Sequence, residues 1–237
     1  MTTLNLVNSA LPQYTMTLPI SGISAKFRPF VVKEEKVLLL ALQSANYNQI
    51  NDAIKNVVHA CTNGYLDTRK LCSADSEYAF LQIRSKSVGE EVKPNVKCSK
   101  CSTEIGVNIK LDQITPKQVP QETQANPNIK ITDDVTIVLK YPSIHDVDHT
   151  KNEVEIAFEL AKKCIDSVIL KDQVHQSKDI NPKELSDFVD NLLPDQFAQI
   201  VEFFKTIPQL YYEFKYTCPS CKENVTLRLD SISDFFL

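Results

Sequence analysis

The sequence predicts an α+β fold in which two similar β-hairpins, far apart along the chain, frame a set of helices. Three observations carry this. Lys97-Cys98-Ser99-Lys100-Cys101 and Thr217-Cys218-Pro219-Ser220-Cys221-Lys222 are two C-x-x-C knuckles. Their flanks match: apolar and polar residues alternate after each knuckle, and both stretches end in Leu-Asp-x-Ile, at Leu111, Asp112 and Ile114 and at Leu229, Asp230 and Ile232. The residues between the knuckles repeat apolar positions at helical spacing. Two knuckles supply four thiolates, Cys98, Cys101, Cys218 and Cys221, the ligand set of a closed tetrahedral structural zinc site. The predicted architecture is a split zinc-ribbon-like pair of hairpins with helical insertions, and the expected cofactor is one structural Zn2+. Free cytosolic thiols are the plain alternative. A thioredoxin-like redox motif fits less well, because each knuckle lies between strands and not at the start of a helix.

The division expected is 1–90, an N-terminal β-hairpin plus helices; 91–114 with 209–237, the split four-cysteine unit; and 115–208, an inserted strand and helices. Tyr14 to Pro19 and Ala25 to Val32 read as strands around Ser21-Gly22. Lys33 to Lys36 opens a helix whose Val37 to Leu42 run is apolar all round, which predicts burial on most faces. Ile50, Ile54, Val57, Val58 and Cys61 form the next apolar face, so Cys61 reads as a small core residue. Thr62-Asn63-Gly64 ends that helix with a left-handed cap. Ser73 reads as an N-cap, with Asp75 and Glu77 in the first turn and Tyr78, Phe80 and Leu81 in the buried stripe. Glu90 to Lys97 is the strand into the first knuckle.

Ile114 to Ile129, rich in Pro, Gln, Thr and Asn, reads as a surface loop or linker. Val135 to Leu139 is a strand stopped by Pro142. Thr150-x-x-Glu153 reads as a capping box, before a helix with Val154, Ala157, Phe158, Ala161, Cys164, Ile165 and Val168 on one face. Asn181-Pro182 starts another helix, lined by Leu185, Phe188, Val189 and Leu192. A last short helix after Pro194 carries Phe197, Ile200, Val201 and Phe204. Tyr211 to Thr217 is the strand into the second knuckle. Three helices and one strand are thus expected between the halves of the ribbon.

Composition bounds the function. Hydrophobic residues make up 43% and charged residues 24% of the chain, proportions that suit a globular core. A formal charge of −4 argues against a global nucleic-acid footprint. No apolar run of about twenty residues is present to span a membrane, and the N-terminal stretch lacks the basic and apolar regions of a signal peptide. Seven cysteines, an odd number, point to a reducing compartment and away from a disulfide framework. No G-x-S-x-G, H-E-x-x-H or P-loop occurs, so no enzyme is expected and no catalytic residue is assigned. His145-Asp-Val-Asp-His149 is the one suggestive cluster. It lies between Pro142 and the capping box, where a solvated loop is the simpler reading.

Two stretches resemble a known family. Lys26-Phe27-Arg28-Pro29-Phe30-Val31-Val32-Lys33-Glu34-Glu35-Lys36, before an apolar helix, is similar to the opening signature of the baseplate proteins of T4-like contractile-tailed phages. Leu81-Gln82-Ile83-Arg84-Ser85-Lys86-Ser87-Val88-Gly89-Glu90, leading into C-x-x-C, is similar to the second. The resemblance implies a non-enzymatic component or assembly factor of the baseplate hub. Its partners would be other phage baseplate and tail hub proteins, with no small-molecule substrate and no membrane. Its location would be the host cytoplasm during assembly and the tail baseplate of the virion. The competing class is a zinc-ribbon nucleic-acid binder, because Lys93, Lys97, Lys100, Lys215 and Lys222 crowd the knuckles. Against it stand the acidic net charge and the lack of aromatic residues at the knuckle tips for base stacking.

Overall fold

The computed structural model describes residues 11–44, 46–93, 95–111, 114, 116–117, 126–148 and 150–229. In chain order the elements are β1 (Tyr14–Thr17), β2 (Ser24–Phe27), α1 (Val32–Gln43), α2 (Tyr47–Cys61), α3 (Ser73–Ser87), β3 (Glu91–Val92), β4 (Asn95–Lys97), β5 (Glu104–Gly106) and β6 (Ile109–Lys110). They continue as β7 (Pro116–Lys117), β8 (Asn128–Lys130), β9 (Val135–Leu139), α4 (Glu153–Lys163), β10 (Ile165–Leu170), β11 (Gln173–Gln176), α5 (Pro182–Asp190), α6 (Pro194–Lys205), β12 (Gln209–Leu210), β13 (Tyr212–Thr217) and β14 (Asn224–Leu229). The class is therefore α+β, with six α-helices and several small antiparallel sheets among the described residues. The chain forms two compact units. One comprises Met1–Asp67, Glu77–Thr115 and Leu210–Leu237; the other comprises Thr68–Ser76 and Pro116–Gln209.

In the first unit β1 and β2 pair antiparallel, Tyr14 opposite Phe27 and Thr17 opposite Ser24. Gly22 turns between them at φ +69°, a conformation that a Cβ would strain. Alternation buries Met16, Ala25 and Phe27 on one side. The second strand stops at Phe27, short of the expected end at Val32, so Arg28 to Phe30 lie outside it. Arg28 instead makes a structural ion pair: its guanidinium donates to Glu34 Oε1 at 2.7 Å. Glu34 Oε2 also accepts the Val31 N–H at 2.7 Å, which satisfies an open donor at the start of α1. The Phe30 N–H donates to Ser87 Oγ at 2.9 Å, tying the entry of α1 to the end of α3.

The α1 expectation is overturned. Leu38 and Ala41 are buried, but Val37, Leu39 and Leu40 are 45%, 54% and 56% exposed. An apolar run needs a partner on every side to be buried all round, and α2 covers only one. α2 behaves as its periodicity predicts: Ala53, Ile54, Val57, Val58 and Cys61 are buried. It ends through Asn63 and Gly64, both at positive φ. α3 starts at Ser73, which places Cys72 and not Ser73 in front of it. Phe80, Leu81 and Ile83 are buried, as are Ala79 and Ser85, so α3 is enclosed on more than one stripe. The strand expected from Glu90 is split into β3 and β4, which pair with β6 and β5 respectively. Val92, Val96, Ile109, Leu111, Ile114, Leu210 and Leu229 gather with Leu81 into one core cluster under both hairpins.

The second unit departs most from expectation. It holds a four-stranded antiparallel sheet in the order β11-β10-β9-β8, where the sequence predicts one strand. β8 begins inside the stretch read as linker and runs one residue past it, with Ile129 opposite Ile137 and 6% exposed. The helix expected to run through Val168 stops at Lys163, and Ile165 and Val168 lie in β10. Its cap is Asn152, which accepts the Glu155 N–H at 3.0 Å, and not Thr150. Val154 and Phe158 are 66% and 40% exposed, so they do not belong to the buried face. Cys164 is fully buried, as expected of a core residue. Asn181 caps α5 with Pro182 inside its first turn, and Pro194 opens α6. Ile137, Leu139, Ala161, Ile165, Val189, Ile200 and Phe203 form the core between sheet and helices.

The Glu34 contacts yield a stability prediction. Burial alone would raise its carboxyl, but hydrogen bonds from Arg28 and Val31, with the Arg28 and Lys33 charges, hold it below the ordinary range. A lowered folded-state value contributes stability above the usual glutamate value of about 4.3, which is lost as pH falls through the folded value. Glu34→Ala should cost roughly 2 kcal/mol at neutral pH, because Arg28 and the Val31 N–H both lose their acceptor. Glu34→Gln should flatten the stability loss that sets in as pH falls below the usual glutamate value of about 4.3. Chemical denaturation at several pH values measures both effects; an unchanged pH profile in the glutamine variant would refute the assignment.

Candidate metal centre

Two hairpins bring the four knuckle cysteines together. β4 pairs with β5, Lys97 opposite Glu104, and the chain between them is the first knuckle. β13 pairs with β14, Thr217 opposite Asn224, around the second. The turns are built alike. The Cys98 N–H donates to Thr103 O at 2.9 Å and the Ser102 N–H donates to Cys98 O at 2.9 Å. The Cys218 N–H donates to Glu223 O and the Lys222 N–H to Cys218 O, both at 2.9 Å. Ser102 and Lys222, each following a second cysteine, sit at φ 58° and 62°. The same two hydrogen bonds and the same left-handed residue thus turn each pair of sulfurs to one side of its hairpin.

The four Sγ atoms lie within 4.8 Å of one another. Across the knuckles Cys98 is 3.9 Å from Cys221, and Cys101 is 3.6 Å from Cys218. Cys98 and Cys218 are buried, Cys221 is half-buried and Cys101 is exposed. Val225 is buried against them, with Ile105 and Tyr216 packed alongside. The Tyr216 hydroxyl is buried with no nitrogen or oxygen partner among the described residues. Burial pushes its pKa up, and the charge of the Cys98 sulfur acts in the same direction.

The thiols do not share one acidity. The Thr103 hydroxyl, 3.2 Å from Cys101 Sγ, and then the Thr103 backbone N–H pull Cys101 down to about 6. The backbone N–H groups of Lys100 and Cys101 lower Cys98. The Glu223 N–H acts to lower Cys221, but burial and the neighbouring sulfurs of Cys218, Cys101 and Cys98 push it up to about 12. Sulfurs this close repel once ionised, so one thiolate suppresses the next. A bound cation reverses that logic and lets a coordinating thiol deprotonate. The donor set therefore fits a thiophilic metal ion, and the four cysteines could hold one.

The other sequence candidates fall elsewhere. His145 lies in a turn with Nε2 3.1 Å from Thr68 Oγ1. Asp146 accepts the Ser143 N–H and hydroxyl at 2.8 Å, and Asp148 accepts the Thr150 N–H and hydroxyl at 3.1 and 2.6 Å. Both aspartates are thus committed to turn closure, as a polar connection requires. His149 lies outside the described residues. Around the knuckles, Lys97 stands 3.9 Å from Glu104, and Glu213 and Lys215 alternate on the exposed side of β13. Tyr212, Phe214 and Tyr216 occupy its inner side, with successive ring centroids 5.8 and 5.6 Å apart. They are half-buried and pack against the core clusters beneath the hairpins.

Paired hairpins thus end in four clustered thiols that could hold a metal ion. The model of the T4 bacteriophage base plate protein family matches residues 11–237. The chain belongs to that family. The comparison with curated proteins and the comparison with solved structures give no match.

The acidities and exposures give a labelling prediction. In chelator-treated protein near pH 7, iodoacetamide should modify Cys101 first. Burial raises Cys61 to about 11 and Cys164 to about 12, so both should stay unmodified until the chain unfolds. A peptide-mapped time course in which Cys164 reacts as fast as Cys101 would contradict this placement.

Proposed function

We propose that this chain is a non-enzymatic structural or assembly protein of the baseplate hub, built around a split, zinc-ribbon-like unit with four cysteine ligands. The observation that carries the metal part is the meeting of four sulfurs from two like-built knuckles within 4.8 Å. A regular tetrahedron with Zn–S bonds of about 2.3 Å places its sulfurs about 3.8 Å apart. The cross-knuckle distances of 3.6 and 3.9 Å lie on either side of that value. Family membership supports the baseplate part, and the hub placement rests on the two N-terminal sequence signatures. The working location is the host cytoplasm during assembly and then the tail baseplate of the virion. The functional bodies proposed are 1–90, 91–114 with 209–237, and 115–208.

Zinc ligation by Cys98, Cys101, Cys218 and Cys221 makes binding free energy part of folding free energy, on the order of 10 kcal/mol in small zinc fingers. Cys218→Ser should lower metal content well below one equivalent and open β13 and β14 to protease. Cys164→Ser, in the other unit, should leave metal content unchanged. Metal analysis of protein purified without chelator decides this; less than about a tenth of an equivalent in the unmodified chain, far short of the one ion that a four-thiolate site holds, would remove the zinc reading.

The hub placement has its own test. Co-expression with the hub proteins of the same phage should give a joint peak on size exclusion. A chain that elutes alone in every pairwise and combined expression would leave the family membership intact and overturn the hub assignment.

A further inference from the structure

α1 is rooted on one side and open on the other. Glu34 turns inward to Arg28 and the Val31 N–H, and Leu38 and Ala41 are buried. At 3.6 residues per turn, the exposed positions from Val32 to Gln43 fall on one continuous arc of about 160°. Val32, Val37, Leu39 and Leu40 lie on that arc and are 77%, 45%, 54% and 56% exposed. Single exposed apolar residues are ordinary on a protein surface, but four on one helix face, interleaved with lysines, are more than isolated exposures and are of the kind that marks an interface. Lys33 and Lys36 stand on the same face, exposed and in no ion pair among the described residues. Its margin carries Glu35, half-buried; the arc itself has no carboxylate.

We propose that this face of α1 docks an amphipathic helix of another baseplate protein, one whose leucine-like stripe is flanked by Asp or Glu. The proposal rests on family membership and not on the hub placement. Charge selects the occupant. A second copy of α1 would bring two more lysines into the same apolar contact and supply no opposing carboxylate on its arc. An anionic membrane surface is served by clusters of about four to eight basic residues, and this face has two. An acid-flanked helix completes the apolar contact and gives both lysines partners. It does so by the helix-in-groove mode, with anchors spaced at three and four residues. The Arg28–Glu34 pair and the Phe30–Ser87 hydrogen bond hold the face in place before docking, which reduces the ordering cost of binding.

The test uses the full chain produced during phage infection, with photo-crosslinking p-benzoylphenylalanine in place of Leu40. The expected adduct is to a helical segment of another baseplate protein carrying Asp or Glu beside its apolar stripe. With that protein purified, Leu40→Asp should weaken binding about tenfold or more, with an unchanged melting temperature because the side chain is exposed. Lys36→Glu should also weaken binding, and exchanging the facing acid for lysine should restore it. An adduct to this same chain, to a second copy or to a lysine-flanked segment would overturn the proposal. So would no adduct, or retention on phosphatidylserine vesicles that Leu40→Asp abolishes. An adduct to a baseplate protein outside the hub would uphold the docking face while removing the hub assignment.

Discussion

Four sulfurs held within 4.8 Å of one another are the constraint around which the first unit is arranged. The cross-knuckle partners are separated by 117 and 123 residues, so their meeting closes a very long stretch of chain. The hairpins that present them are small. β3 with β6, β4 with β5, and β13 with β14 are each two-stranded sheets, and such sheets are marginal alone in water. They persist because Val92, Val96, Ile109 and Leu111 from the first half meet Leu210 and Leu229 from the second, with Leu81 of α3 in the same cluster. The thiols then face an electrostatic choice. Without a cation, neighbouring sulfurs help push Cys221 up to about 12, while Thr103 pulls Cys101 down to about 6.

Two of the other three thiols carry a different logic. Cys61 and Cys164 are small apolar fillers, each at the end of a helix and each pushed up by burial. Arg28 lies against the Cys61 sulfur at 3.7 Å, yet its main bond is to Glu34, and through Glu34 it governs where α1 begins. One buried carboxylate therefore serves as ion-pair partner and as acceptor for an open backbone donor. That double use fixes α1 on its inner side, while Val32, Val37, Leu39 and Leu40 stay exposed on its outer side.

Local pattern is a good guide where the chemistry is local. The two knuckles, the hairpin at Gly22, the face of α2 with Cys61, the cap at Asn181 and the strand Val135 to Leu139 follow from turn residues, capping groups and period. The second unit is harder to read because its strands lack a clean alternating signal. Ile165 and Val168 also satisfy helical spacing from Ala161, and the end of α4 at Lys163 has no glycine or proline to mark it. β11 reads Gln-Val-His-Gln and is exposed throughout, since it forms the sheet edge, so burial left no pattern in its sequence. β8 sits in a stretch whose composition resembles a linker, and only its pairing with β9 makes it a strand.

The sequence by itself determined which residues can ligate and which turn, because C-x-x-C spacing and left-handed turn positions are set within a few residues. It determined the inner face of α2 and the family as well. The paired knuckles and their matching flanks already carry the expectation that the four cysteines meet, and tertiary structure alone decided that Arg28 answers Glu34 and that Val168 belongs to a strand. It also decided that the apolar run of α1 is covered on one side only. Each of these depends on groups distant in the chain, and a periodic pattern records that a face is apolar without recording what, if anything, lies against it.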